Sequence, residues 1–105
     1  MVVDVEHDGD GPALTPGGRA RLHYTARVAG ADTAFDGTLS RGVPLAVELG
    51  RTPLVPGLRL ALEGRRAGAR FTARVPAALA WGDSPSAPVP AGSDVVFDVH
   101  VVSVP

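Results

Sequence analysis

The chain contains no cysteine, no lysine and only five aromatic residues in 105. Without cysteine there is no thiol nucleophile, no thiolate metal site and no disulfide framework. Folding therefore has to rest on an apolar core, and a hydrophobic content of 45% at this length is enough for one. All ten basic residues are arginine, which together with the many alanines and glycines reads as coding bias. The formal net charge of −1 supplies no positive field to hold nucleic acid or an anionic membrane. No apolar run approaches the roughly 20 residues a membrane helix requires. The opening "MVVDVEHDGDG" has no basic segment followed by an apolar one, as a secretory signal would. Repeats and linkers are also lacking, so the expectation is one soluble cytoplasmic domain over residues 1–105.

Strands dominate what is there. In "RARLHYTARV", Ala20, Leu22, Tyr24, Ala26 and Val28 share one face, and Arg19, Arg21, His23, Thr25 and Arg27 share the other. Such alternation marks a half-buried strand. "ARFTARVP" repeats the device with Phe71, Ala73 and Val75, and "DVVFDVHVVSV" with Val95, Phe97, Val99 and Val101. "VVDVE" near the start and "LAVEL" from Leu45 are shorter strand candidates. Only "LVPGLRLALEGRRAG" has helical spacing, with Leu58, Ala61 and Leu62 on one stripe. Pro56 stands where a first turn tolerates it, and Gly64 can end a helix of about two turns. Many strands and one helix give an α+β architecture, an antiparallel sheet curled over that helix.

Conventional catalytic motifs are missing. His7, His23 and His100 lack ligand spacing, and His23 falls among arginines on a polar face, which suits a solvated or edge histidine better than a metal ligand. Ser40, Ser84, Ser86, Ser93 and Ser103 sit in no nucleophile elbow. "GDG" and "PGG" are turns and form no phosphate loop. The proline-rich "DSPSAPVPAG" is short enough to be a loop. That leaves the aromatics Tyr24, Phe35, Phe71, Trp81 and Phe97, which as a class belong to the core, and Phe71 is assigned there.

Five blocks carry a family resemblance. "LHYTARV", "FDGTLSRGVPLAVELG", "LVPGLRLALEGRRAG", "VPAALAWG" and "VPAGSDVVFDVHVVSV" follow in the order and spacing of the FKBP family, the macrolide-binding peptidyl-prolyl cis/trans isomerases. The similarity runs from about Leu14 to Val104. It implies a five- to six-stranded antiparallel sheet wrapped around one short helix, with a shallow apolar pocket between them. By resemblance the pocket positions are Tyr24, Phe35, Asp36, Leu54, Val55 and Phe97. Arg41 takes the place of an arginine that pairs with the pocket aspartate, and Trp81 that of a tyrosine that hydrogen-bonds the ligand. Catalytic roles thus fall to Tyr24, Phe35, Asp36, Trp81 and Phe97, and substrate-binding roles to Arg41, Leu45, Leu54, Val55, Leu58 and Val89.

Besides Trp81, three positions depart from the family pattern. Leu58 stands at a pocket floor that is often aromatic, Leu45 replaces a wall phenylalanine, and Leu79 replaces a tyrosine. The resemblance implies a proline isomerase assisting folding at X-Pro bonds. It acts as a monomer on proline-containing segments, also admits macrolides, and needs no metal or cofactor. The departures suit a second reading, a catalytically weak binding module for a peptide or small apolar ligand. A remoter third is another small-molecule reaction with Asp36 as acid or base.

Overall fold

A computed structural model of the chain describes residues 1–38, 41–83 and 89–105. Ser40, Ser84, Ser86 and the middle of the proline-rich loop lie outside them. The strands are β1 (Val2–His7), β2 (Arg19–Val28), β3 (Asp36–Gly37), β4 (Leu45–Glu48), β5 (Arg70–Val75) and β6 (Val95–Ser103). The helix α1 (Pro56–Leu62) lies between β4 and β5, and a 3-10 turn over Ala77–Leu79 precedes β6. All pairings are antiparallel, in the order β1-β5-β6-β2-β3, with β4 also on β2. This is the α+β sheet with one short helix that the alternation and the resemblance imply, and its strand number is six.

Period two decides the core. Ala20, Leu22, Tyr24 and Ala26 of β2, Phe71, Ala73 and Val75 of β5, and Val95, Phe97, Val99 and Val101 of β6 all point to one buried face. Phe71 is core, as assigned. The rule fails once. Val96 is buried although it belongs to the outer face, where it stands between Arg27 and Arg74 in the ladder. Arginine stems cover apolar surface in such a position while their charged ends stay in water.

Two residues of β3 could not hold a strand by ladder bonds alone. β3 and β4 share one edge of β2, with β4 along Arg19 to Leu22 and β3 against Thr25 and Ala26. The chain leaves that edge after β3 and returns at β4. The gap opens beside His23 and Tyr24.

Pro56 opens α1 at a position whose missing N–H would have no helical partner in any case. Beyond the helix Gly64 adopts φ +83°, a left-handed conformation that glycine takes without strain, and its N–H donates to the Leu14 carbonyl at 2.7 Å. Leu58, Ala61 and Leu62 face the sheet and are buried. Gly57 sets how closely the helix approaches. A Cβ there would collide with the Val75 Cγ1 methyl and lie 3.2 Å from the Leu79 carbonyl oxygen.

Gly57→Ala therefore sets two effects in opposition. Alanine favours a helix over glycine by about 1 kcal/mol, but its methyl group has to push α1 off β5. We expect the clash to win, so that urea unfolding gives a lower midpoint for the variant. A higher midpoint would mean that Val75 rotates aside at little cost.

Candidate active site

The inner face of the sheet, the start of α1 and the segment before it enclose a cavity of about 270 Å³. Tyr24 and Ala26 come from β2, Asp36 from β3, Leu45 from β4 and Phe97 from β6. Thr52, Pro53, Leu54 and Val55 arrive with the segment that leads into α1, Leu58 with the helix, and Trp81 from the chain beyond the 3-10 turn. Leu58 is 3% exposed, so it forms a floor backed by core. The Tyr24 and Phe97 rings are 6.4 Å apart and tilted by 48°.

One charged group lines this cavity among the described residues, the carboxylate of Asp36. It accepts the Tyr24 hydroxyl at Oδ2 (2.9 Å), and at Oδ1 the Arg41 Nη2 (2.9 Å) and the N–H of Gly37 (2.8 Å). Burial, followed by the hydrogen bond to Asp36 and its negative charge, holds the Tyr24 phenol above its ordinary value of 10.0, against an opposing pull from Arg41. The neutral phenol is thus the favoured form in the fold. Its contribution to stability is complete below about pH 10 and is lost as pH rises through the folded-state value. Neither the Val55 N–H nor the Trp81 indole N–H meets an acceptor among the described residues.

Most residues named from sequence meet here. Tyr24, Asp36, Leu45, Leu54, Val55, Leu58, Trp81 and Phe97 line the cavity, and Arg41 reaches it through Asp36. Phe35 does not line it directly. Its ring stands edge-on to Trp81, with centroids 5.8 Å apart and planes at 73°. Val89 is buried in the core cluster and is absent from the lining. Sequence reasoning passed over Ala26, Thr52 and Pro53. Of these, Ala26 carried a signal, since it shares the inward face of β2 with Tyr24.

The outer face brings a correction. His23 is half-buried, and its Nδ1 lies 2.9 Å from Oγ1 of Thr38, so it is more than a solvated edge histidine. Thr38 itself was not singled out, although it is a buried polar residue, 1% exposed.

Fold and site together define a small sheet-and-helix domain with an apolar cavity beside one shared carboxylate. Residues 11–102 match the family model described as FKBP-type peptidyl-prolyl cis-trans isomerase. The chain belongs to that family. It is 34% identical over 90 residues to peptidyl-prolyl cis-trans isomerase FPR2 of Saccharomyces cerevisiae, covering 85% of this chain and 67% of that protein. It is 29% identical over 99 residues to a protein named FK506-binding protein from Streptomyces anulatus, with 92% and 80% covered. Peptidyl-prolyl cis-trans isomerase FKBP15-1 of Arabidopsis thaliana is 33% identical over 89 residues, and the chain spans 58% of its length. Among solved structures, FkpA from Escherichia coli superposes with a TM-score of 0.87 at 26% identity, covering 97% of this chain and 46% of that one. AtFKBP13 superposes with a TM-score of 0.87 at 23% identity, covering 98% and 91%, which bears on the fold alone.

Tyr24 is the sole tyrosine, so an ultraviolet titration reports on the site directly. The phenol should ionise above its ordinary value in the native protein. Asp36→Asn, which removes the negative charge, should move the midpoint down. An unchanged midpoint in the variant would assign the whole shift to burial.

Proposed function

We propose that the chain catalyses cis/trans isomerisation of X-Pro bonds in polypeptides, with the proline ring seated between Tyr24, Leu58, Trp81 and Phe97. The observation that carries this reading is the cavity itself. At about 270 Å³ it falls just below the range of roughly 300–1,000 Å³ usual for drug-sized ligands, and it suits a ring with one adjoining amide. Its walls are apolar, and its few polar groups stand where they can orient an amide without reacting with it.

The reaction asks for no nucleophile and no proton transfer. Rotation about X-Pro is slow because it breaks amide resonance, with a barrier of about 20 kcal/mol. A twisted amide has lost part of its charge separation, so an apolar wall penalises it less than either planar isomer. Binding the twisted form better than the ground states lowers the barrier, which is catalysis by differential binding. The N–H of Val55, unengaged among the described residues, supplies a donor for the amide carbonyl. Isomerase names among the relatives, and one named for binding FK506, support the same substrate and ligand classes. Folding chains with exposed X-Pro segments are the partners that this reading implies.

A protease-coupled assay on Leu-Pro and Phe-Pro peptides tests it. We expect exchange faster than buffer and competition by a macrolide immunosuppressant. Exchange at the buffer rate for every residue placed before proline would remove the isomerase and leave a binding module, the reading that the altered positions Leu45, Leu58 and Trp81 favour.

Those altered positions also make a prediction for macrolides. Leucine fills a floor less fully than an aromatic ring, and an indole N–H donates from a different point than a phenol. Trp81→Tyr should tighten macrolide binding by up to roughly tenfold, the span of one good hydrogen bond, and Leu58→Trp should add to it. Calorimetric titration of both variants checks this. If neither tightens binding, Trp81 serves a ligand of another kind.

A further inference from the structure

Thr38 connects the cavity to the opposite face of the sheet. Its carbonyl accepts the N–H groups of Arg41 (3.1 Å) and Gly42 (3.0 Å), the turn that brings Arg41 back onto Asp36. That carbonyl is therefore taken from the ladder. Thr38 N–H still donates to the Tyr24 carbonyl at 2.9 Å, but the returning Tyr24 N–H goes to the Thr38 hydroxyl, at 3.0 Å. On the outer side of β2 the same hydroxyl meets His23 Nδ1 at 2.9 Å. One buried residue thus touches His23 and Tyr24 through its hydroxyl and the turn that carries Arg41 through its carbonyl.

A threonine hydroxyl has one proton to give. With Oγ1 accepting from Tyr24, a neutral His23 that carries its proton on Nε2 takes the hydroxyl proton at Nδ1. A charged His23 donates instead, and the hydroxyl proton is left with the Tyr24 carbonyl. That oxygen is 3.4 Å away, beyond the roughly 2.5–3.0 Å of a good O–H···O bond. Charging the imidazole therefore reverses the short bond and leaves the hydroxyl proton on a stretched one beside β3.

We propose that His23 and Thr38 are positioning residues for the cavity, holding the Tyr24–Asp36–Arg41 arrangement from the reverse side of the sheet and making it depend on the charge of His23. Histidine is the side chain that changes charge between about pH 5 and 8. The groups around it are mixed in sign. His100 stands opposite on β6, with Arg70 from β5, and both disfavour a second positive charge. Glu6 from β1 and Asp98 from β6 favour one, and Arg21 precedes His23 on the same face of β2. Burial, then Arg70 and His23, hold His100 below its ordinary value of 6.5.

For catalysis the proposal rests on the isomerase reading, and its test has a readout that does not. In labelled protein followed by NMR from about pH 5.5 to 8.5, ring signals give separate midpoints for His23 and His100. The Asp36 carboxyl carbon and the Tyr24 amide should show a step at the His23 midpoint. His23→Gln should abolish the step. Thr38→Val should abolish it while His23 still titrates, and Thr38→Ser should retain it. In the peptide assay kcat/KM should fall by roughly two- to tenfold across the same step, as expected when one hydrogen bond is weakened, and the profile of His23→Gln should be flat. No step in the native protein, or a step that survives in Thr38→Val, overturns the proposal. Should Thr38→Val fail to fold, a step that persists in His23→Gln overturns it equally. A step with no catalysis at any pH supports the coupling and removes the isomerase reading.

Discussion

The polar side of the cavity depends on a carboxylate that is never left to itself. Asp36 stands in a strand of two residues, too short for ladder bonds to fix, yet three donors from three directions converge on it. The pair with Arg41 contributes little to stability, because the two side chains are 54% and 41% exposed and such pairs are worth about 0–1 kcal/mol. Its effect is geometric. Arg41 closes the turn begun at Thr38, and the Tyr24 hydroxyl ties that turn to the central part of the sheet. Losing the carboxylate would leave a buried phenol without its acceptor and a turn without its return contact.

The apolar half of the site is held in a different way, by packing. Leu58 lines the cavity and belongs to the core cluster as well, so the floor cannot sink without disturbing the core. Gly57, the residue before it, is what allows the helix to come down onto Val75. Two neighbours in sequence thus set floor and depth. On the opposite wall, Phe35 steadies Trp81 edge-on from outside the cavity, which explains how a large apolar residue can matter there without lining it.

Strands and helix were legible because each obeys one period against one buried face. β2 could be bounded at Arg19 and Val28 from alternation alone, and α1 from the stripe Leu58, Ala61, Leu62 behind Pro56. The resemblance supplied what periodicity does not contain, namely which inward residues surround a cavity and which fill the core. Tyr24 and Leu22 share a face and a pattern, and only one of them meets the cavity. Thr38 and His23 escaped both approaches. A threonine after Asp-Gly reads as loop, and a histidine among arginines reads as solvated surface. Their contact spans 15 positions and exists because β3 stops short, leaving the Tyr24 N–H to seek a side chain. Val96 escaped because its cover comes from two neighbouring strands, which a single segment does not reveal.

The same hydrogen bonds give the cavity a direction. Tyr24 commits its single proton to Asp36, and the raised phenol value keeps that proton in place, so Tyr24 has none to offer a substrate. The carboxylate of Asp36 can only accept. Donors come from elsewhere, from the backbone of Val55 and the indole of Trp81, both unengaged among the described residues. In the function proposed above, the amide carbonyl before proline is an acceptor, so it would be drawn toward Val55 and Trp81 and repelled by Asp36. On the proposed reading the ring, on the nitrogen side of the bond, is held by the apolar walls while the carbonyl side turns toward those donors, so that they meet the twisted amide better than the planar one.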